Sequence, residues 1–248
     1  MPITAIIRKE SKVSLEEVMK FQMRLKEKSE IFVLGDNLPS NVDKIISLGG
    51  DGTVIECSRL YRDIPILGVN YGHLGFLAGI EKDENPNQEF NIIERCMLQN
   101  SLIPSLALNE IVIARGIKPR SIKLAVYIDD ILLTKYLSDG IIVATSTGST
   151  AYSLSANGPI ISPDLEVLLI TPICPHFRRP NGFVFPKKSK VKIIVLNSTE
   201  ACITLDGQIS APIMKNQEVE ISYSDCNAKL LYKNDYSFID KLSKSFRR

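Results

Sequence analysis

Three glycines surround one carboxylate in the segment Ser47-Leu48-Gly49-Gly50-Asp51-Gly52-Thr53. An apolar run precedes the segment and residues 54–60 follow at helical spacing, so the pattern predicts a strand, a glycine turn and a helix. Glycine lets the backbone approach a ligand closely, and the N–H groups and dipole at a helix start favour phosphate. Two interpretations fit: a phosphate site in which Asp51 handles a proton or a metal ion, or a tight turn in which Asp51 caps the helix.

On either side of this segment, short apolar runs alternate with helical patterns. Residues 3–7, 31–34, 44–48 and 65–70 read as strands buried on both faces, and Ser14-Leu15-Glu16-Glu17 is a capping box that opens a helix. Residues 91–98 are predicted as another helix. The alternation predicts a Rossmann-like α/β domain with a parallel sheet over residues 1–100.

The pattern changes after residue 100. Strands follow one another with few helices, and Asp129-Asp130 marks a hairpin turn. This predicts a β-rich second domain over residues 101–232. The amphipathic tail, residues 233–248, is predicted to pack back on the first domain as a helix.

Composition narrows the function classes. The chain has 248 residues, a hydrophobic share of 44% and a net charge of +2, so neither a nucleic acid nor a membrane is expected as a partner. Five scattered cysteines favour reduced thiols, and no signal peptide or membrane-spanning run is present, so we expect a cytoplasmic protein. There is no G-x-x-x-x-G-K-[ST] and no G-x-G-x-x-G after a strand, which excludes those two phosphate motifs.

A second cluster of candidate residues lies in residues 138–159. A strand leads into the hydroxyl-rich run Ser146-Thr147-Gly148-Ser149-Thr150 and then into a helix that stops at Asn157-Gly158-Pro159. Hydroxyl groups there would cap the helix or donate to a ligand, and Tyr152 offers a ring for stacking on a base. A plain Ser/Thr-rich turn with one core tyrosine is the alternative.

The two clusters together resemble the NAD kinase family. The first is similar to the GGDGT signature that NAD kinases share with diacylglycerol kinases and 6-phosphofructokinases. Four further segments of the NAD kinase pattern follow in order, and the lipid and sugar kinases lack the later ones. The matching segments are Gly72-His73-Leu74-Gly75-Phe76-Leu77, Asn109-Glu110, Thr171-Pro172-Ile173-Cys174-Pro175-His176 and Leu205-Asp206-Gly207-Gln208.

The resemblance implies an ATP-dependent phosphorylation of the 2′-hydroxyl of NAD's adenosine ribose, with Mg²⁺ held largely by phosphate and water. Asp51 would be the catalytic carboxylate, acting as a base or orienting the hydroxyl, and Gly49, Gly50 and Gly52 would cradle phosphate. The residues implied to line the rest of the nucleotide site are Phe76, Asn109, Glu110, Arg120, Asp139, Thr150, Ala151, Tyr152, Ser155 and Gln208. Phe76 would equally serve in a core, and Arg120 as a surface charge.

Departures from the family pattern and rival functions complete the prediction. The loop between His176 and Pro180 is shorter than in the family, Leu137 replaces an arginine of some relatives, and His73 and His176 are expected to be structural.

Rival functions are another kinase of the superfamily or a non-catalytic dinucleotide sensor. We expect a homo-oligomer, a dimer or tetramer, with Ile128, Ile131 and Leu133 as interface candidates.

Overall fold

The structure is a computed structural model that describes residues 3–72, 75–118, 120–176, 182–197 and 200–247. The chain divides into two units, the first comprising residues 1–95 and 227–248 and the second residues 96–226. Across the described ranges no helix has the length and apolar character needed to cross a membrane.

The first unit is built from strands and helices that alternate along the chain. They are β1 (Ile3–Arg8), α1 (Leu15–Gln22), β2 (Ser29–Val33), β3 (Val42–Gly49), α2 (Asp51–Leu60), β4 (Ile66–Asn70) and β5 (Ile80–Glu81). The strands pair in the order β2-β1-β3-β4 and are parallel, with β5 parallel to β4. Because the chain crosses β1 to pass from β2 to β3, the carboxyl ends of β1 and β3 form a switch point, where ligands bind in such sheets.

Helix α1 shows how the sequence fixes this unit. Ser14 caps it and Glu17 bonds back to the Ser14 backbone, which is the predicted capping box. Its apolar face buries Val18 and Phe21 in a hydrophobic cluster that also contains Ile46 and Leu48 of β3. Burial of such side chains stabilises the sheet by about 1.5–3 kcal/mol each.

Strands dominate the second unit. The remaining elements of the chain, in order, are β6 (Phe90–Asn100), β7 (Glu110–Ala114), β8 (Ile122–Ile128), β9 (Ile131–Ser138), β10 (Gly140–Thr145), α3 (Tyr152–Ser155), β11 (Val167–Ile173), β12 (Phe183–Pro186), β13 (Val191–Val195), β14 (Ala201–Leu205), β15 (Ile209–Ile213), β16 (Glu218–Lys233) and α4 (Phe238–Phe246). Helix α4 belongs to the first unit. In the second unit one antiparallel set runs β16-β13-β8-β9 and another β12-β11-β10-β7-β14-β15. The predicted fold class, a Rossmann-like α/β domain followed by a β-rich domain, is confirmed.

The hairpin between β8 and β9 turns at Asp129 and Asp130, as predicted. Both have positive φ, 48° and 65°, which is the backbone of a tight two-residue hairpin. Of the interface candidates, Ile128 is buried in the core of the second unit and Leu133 packs against that core. Only Ile131 stands free, with 75% of its surface exposed.

One predicted element is wrong. Residues 91–98 form part of strand β6 rather than a helix. Their apolar residues satisfy both spacings, and the adjacent β-branched Ile92 and Ile93 favour an extended chain. Pairing with β16 and the bridge from Leu98 to Ala107 supply the tertiary contacts that decide the outcome.

Candidate active site

The glycine turn joins the carboxyl end of β3 to helix α2. Gly50 is the N-cap residue, and no side chain caps the helix. A Cβ on Gly49 would lie 2.3 Å from the Thr53 Oγ1 atom, so only glycine fits there, whereas a Cβ on Gly50 would meet nothing within 4 Å. The Gly50 backbone at the start of this ten-residue helix is therefore open to a ligand, an arrangement suited to phosphate.

Asp51 does not cap its own helix. Its Oδ2 accepts a hydrogen bond of 2.8 Å from the Phe76 N–H and its Oδ1 one of 3.0 Å from the Leu77 N–H. The interpretation of Asp51 as a helix cap is therefore wrong. Each carboxylate oxygen keeps a second lone pair, so the fixed group retains the capacity to accept a further hydrogen bond.

Gly75 makes this arrangement possible. A Cβ on Gly75 would lie 2.2 Å from Asp51 Oδ1 and 2.7 Å from Asp51 Cγ. The segment 75–77 thus approaches the carboxylate as closely as a backbone without side chain allows. The Phe76 ring turns away and packs against Phe238 of α4, with ring centroids 6.3 Å apart.

In the second unit, Asn109 and Glu110 lie at the start of β7 and are fixed by Asp206. The Asp206 carboxylate accepts from the backbone N–H groups of Leu108, Asn109 and Glu110 at 2.9, 2.8 and 3.1 Å. Asp206 and Gly207 form the tight turn between β14 and β15, both with positive φ. Asp206 lies in one of the matching segments, but the sequence predicted no role for it. The position of Asp206 in an Asp-Gly turn was the feature that could have indicated its role.

Hydroxyl groups in and beside the hydroxyl-rich run bond mostly to the backbone around them. Thr145 Oγ1 donates to the Leu108 carbonyl at 2.7 Å and accepts from the Gly148 N–H at 3.0 Å. Ser149 bonds both the N–H and the carbonyl of Ile161, and Ser153 bonds Thr171. These buried hydroxyls shape the turn.

Several residues that the resemblance implies for the site remain accessible. Tyr152 and Ser155 are exposed on α3, Thr150 and Ala151 are half-buried just before it, and Gln208 is exposed beside the Asp206 turn. The Tyr152 N–H donates to the Glu110 carboxyl, and the Asp206 N–H donates to the Glu110 carbonyl at 3.0 Å. Glu110 is therefore the residue at which α3, β7 and the β14–β15 turn meet.

Glu110 is buried without a full set of partners. Only 6% of its surface is exposed, and its Oε2 has no hydrogen-bond partner within the part of the chain that the structure describes. Burial, and then the nearby Asp206 charge, raise the pKa of the Glu110 carboxyl from 4.5 to about 8. An unsatisfied buried oxygen is costly, so the group is suited to a ligand hydroxyl.

We expect the pH dependence of stability to change in Glu110→Gln. Because the pKa is raised in the folded state, the folded wild type binds more protons than the unfolded chain between pH 4.5 and 8, and its free energy of unfolding falls as pH rises through this range. Glutamine does not titrate, so the variant lacks this loss, on the order of 2–4 kcal/mol. Urea denaturation of both proteins at pH 5, 6.5 and 8 measures it; parallel curves would contradict the burial argument.

Asp139 and Arg120 lie apart from Glu110. Asp139 precedes β10 and pairs with Arg115, the Nε to Oδ1 distance being 3.2 Å. In the β7–β10 ladder Glu110 pairs with Ala144 at one end and Ala114 with Gly140 at the other, which separates the two ends by about 13 Å. Arg120 is exposed beside a polar cavity that Arg115 also lines. One strand pair thus carries two groups of predicted site residues.

The remaining predictions concern turns and loops. The Nε2 atom of His176 lies 2.5 Å from the Ser121 hydroxyl, and the backbone N–H of His176 donates to the Leu137 carbonyl. These contacts indicate a structural role for His176. His73 and residues 177–180 of the shortened loop lie outside the described residues.

Comparison with known proteins identifies the family. Residues 3–100 match the ATP-NAD kinase N-terminal domain, and residues 108–232 match the ATP-NAD kinase C-terminal domain. The chain belongs to the NAD kinase family. An NAD kinase from Clostridium botulinum type A is 42% identical over an alignment of 213 residues, which covers 79% of this chain and 75% of that protein. One from Ruminiclostridium cellulolyticum is 40% identical over an alignment of 229 residues, which covers 84% of this chain and 80% of that protein.

Solved structures agree with the NAD kinase assignment. The crystal structure of an NAD kinase from Archaeoglobus fulgidus in complex with ATP is 29% identical, has a TM-score of 0.84 and covers 99% of each chain. The structure of yeast NADH kinase complexed with NADH has a TM-score of 0.87 and covers 100% of this chain and 88% of its own; at 22% identity it shows the fold alone. The two-domain NAD kinase architecture predicted from the sequence is confirmed.

Proposed function

We propose that this NAD kinase transfers the terminal phosphoryl group of ATP to the 2′-hydroxyl of the adenosine ribose of NAD, giving NADP. The observation that carries the proposal is the Asp51 carboxylate, fixed at the start of α2 by the N–H groups of Phe76 and Leu77. The proposal is supported by the membership of the chain in the NAD kinase family and by relatives, named as NAD kinases, that match most of the chain.

The glycine turn is the proposed phosphate site. Backbone N–H groups at Gly49, Gly50 and Gly52, with the dipole of α2, would balance the charge of the transferred phosphoryl group without side-chain rearrangement. Phosphoryl transfer proceeds through a loose transition state, so positioning and charge balance supply most of the catalysis. Asp51 would accept the hydrogen bond of the attacking hydroxyl and then its proton as the new O–P bond forms.

The dinucleotide would be held by the group around Glu110. The unpartnered Glu110 Oε2 and the Asn109 side chain offer polar atoms to ribose hydroxyls, and the exposed Tyr152 ring offers a face for the base. The small side chains of Thr150, Ala151 and Ser155 leave room for it, and Gln208 is also assigned to this surface. Asp139 and Arg120, at the other end of the ladder, would take a separate part of the nucleotide.

Mg²⁺ is proposed to enter with ATP. Within the described ranges, no three His, Cys, Asp or Glu side chains lie together in a way that would hold a metal ion. ATP phosphates and water provide the oxygen ligands that Mg²⁺ prefers. When bound there, the ion neutralises charge on the phosphates that flank the transferred group.

The proposed domains and location follow from the chain itself. We assign nucleotide binding to residues 1–100 with the tail 233–248, and NAD binding to residues 101–232; the division into units at residues 95 and 226 supports this. A cytoplasmic location is supported by the five cysteines, all of which are free.

A homo-oligomer is the proposed assembly. Strand β9 ends the order β16-β13-β8-β9, and it carries Ile131 and Leu132 with 75% and 45% of their surfaces exposed. An edge strand with exposed apolar side chains is suited to pairing with a second copy, which would bury about 1,600 Å² or more. Sedimentation equilibrium at micromolar concentration should give a mass that is a multiple of 27.6 kDa. The mass should fall in Ile131→Glu but not in the control Ile117→Glu, because Ile117 is fully exposed away from β9. A single species of one chain mass would contradict the proposal.

The acceptor is tested with a panel. The protein is incubated with ATP, Mg²⁺ and, separately, NAD, NADH, a sugar phosphate and a diacylglycerol, and ADP release is followed. Phosphorylation of the dinucleotides alone is the expected result. Turnover of the sugar phosphate or the lipid would place the chain with another kinase of the superfamily, and dinucleotide binding without ADP release would make it a sensor.

A further inference from the structure

Lys241, on the C-terminal helix α4, is bonded to the segment that holds Asp51. Its Nζ donates to the Phe76 carbonyl at 3.2 Å and also to the Ala78 carbonyl. The rings of Tyr232 and Tyr236 lie 5.3 and 5.4 Å from the same nitrogen, within the range of cation–π attraction. The ammonium is thus enclosed by two carbonyls and two aromatic rings.

The Phe76 carbonyl and the Leu77 N–H belong to one peptide group. Lys241 binds the carbonyl end of that planar group, and Asp51 Oδ1 binds its N–H end at 3.0 Å. A cation at the carbonyl polarises the peptide and strengthens the N–H as a donor. The orientation of the Asp51 carboxylate therefore depends on a residue 190 positions further along the chain.

We propose that Lys241 is a positioning residue for phosphoryl transfer, holding residues 76–78, and through the Phe76–Leu77 peptide the Asp51 carboxylate, in the reactive geometry. This inference rests on the proposed function, since it gives Asp51 its catalytic role. Lys241 itself acts only through the peptide group. Helix α4 thereby becomes part of the catalytic apparatus rather than a simple surface cover.

The charges around Lys241 indicate a pH-sensitive contact. Burial lowers the pKa of its ammonium from 10.5 to about 8, against the opposing attraction of Asp51, Glu81 and Glu84. The groups that face it from the elements packed on it are Asp51 of α2, Glu81 of β5, Glu84 of the following turn, Lys233 and Tyr232 of β16, and Tyr236, with Arg95 of β6 over the Tyr232 ring. Burial also raises the pKa of Tyr232, which stays neutral. Above pH 8, therefore, Lys241 loses the charge that polarises the peptide.

The test compares Lys241→Met and Lys241→Arg with the control Lys244→Met, an exposed lysine one turn further along α4. We expect Lys241→Met to lower kcat by about 10- to 100-fold, the size of a small misplacement of a catalytic group, with KM for NAD and ATP within about threefold. Arginine should restore much of kcat, and Lys244→Met should match the wild type. Wild-type kcat in Lys241→Met, or an equal loss in the control, would overturn the proposal.

The pH profile separates this role from a purely structural one. Wild-type kcat should decline above about pH 8; the decline should be absent in Lys241→Met and shifted upward in Lys241→Arg. The Glu110 carboxyl has a pKa in the same range, so Glu110→Gln serves as the cross-check. If Glu110→Gln removed the decline and Lys241→Met retained it, the assignment would be wrong.

A measurement without substrates keeps the inference apart from the proposed function. In hydrogen exchange, the Phe76 and Leu77 amides are protected by Asp51, and they should exchange at least tenfold faster in Lys241→Met, or in Lys241→Gln if the methionine variant does not fold. Unchanged exchange would overturn the positioning role even in an active enzyme. Faster exchange in a protein that fails to phosphorylate NAD would reject only the proposed function.

Discussion

Asp51→Asn is expected to lower kcat by about 10²- to 10⁴-fold while the dissociation constant for NAD stays within about threefold. A positioned base contributes a factor of this size, and asparagine keeps the shape of the side chain but loses the charge. It also sets an NH₂ group against one of the two N–H donors that now hold Asp51, those of Phe76 and Leu77. Steady-state assays of NADP formation, with NAD binding followed by calorimetry, measure both quantities.

The matched control is Asp43→Asn, an exposed carboxylate on the same strand as the glycine turn. It should leave kcat and binding unchanged. An Asp51→Asn enzyme that kept more than about a tenth of wild-type kcat would show that the carboxylate does not take the proton.

Gly75→Ala is expected to lower kcat by about 10²-fold, although the residue carries no functional group. Its Cβ would lie 2.2 Å from Asp51 Oδ1 and 2.7 Å from Asp51 Cγ, so the carboxylate must rotate away from its two N–H donors or the segment must move. Misplacement of a catalytic group by about 1 Å has an effect of this size. Kinetic assays with thermal unfolding as a check on folding measure the result.

Gly72→Ala is the control for this variant. It lies three residues earlier in the same segment, where the nearest atom to a new Cβ would be 4.0 Å away. Of the two new methyl groups, only the one at position 75 meets Asp51. Equal kcat values for both would contradict the importance of the Gly75 contact.

Local patterns predicted the parts of the site that are local. The strand, glycine turn and helix around Asp51 follow from apolar spacing and glycine placement, and so does the capping box at Ser14. The β8–β9 hairpin at Asp129 and Asp130 follows in the same way. In each, a few adjacent residues determine the backbone, so the sequence alone suffices.

Contacts between distant residues could not be predicted in this way. The bonds from Asp51 to Phe76 and Leu77, and from Lys241 to Phe76, join segments 25 and 165 positions apart, and no periodicity reports such separations. The helix predicted for residues 91–98 was wrong for the same reason, because the pairing of β6 with β16 overrode an ambiguous local pattern.

The hydroxyl-rich run shows a third case. Its residue types predicted donors, but not which would be used internally. Ser149 and Ser153 are buried and bond to the Ile161 carbonyl and to Thr171, whereas Ser155, which follows on α3, remains exposed. Burial, which depends on the whole unit, separates the two sets.

The position of the transferred phosphate tests the central claim most directly. The protein is incubated with Mg²⁺ and ATP and with either NAD or an NAD analogue that lacks the adenosine 2′-hydroxyl, and the products are followed by ³¹P NMR. We predict that with NAD a phosphomonoester signal grows as the terminal phosphate signal of ATP falls, and that the analogue gives no such product. Phosphorylation of the analogue, or none of NAD, would contradict the account.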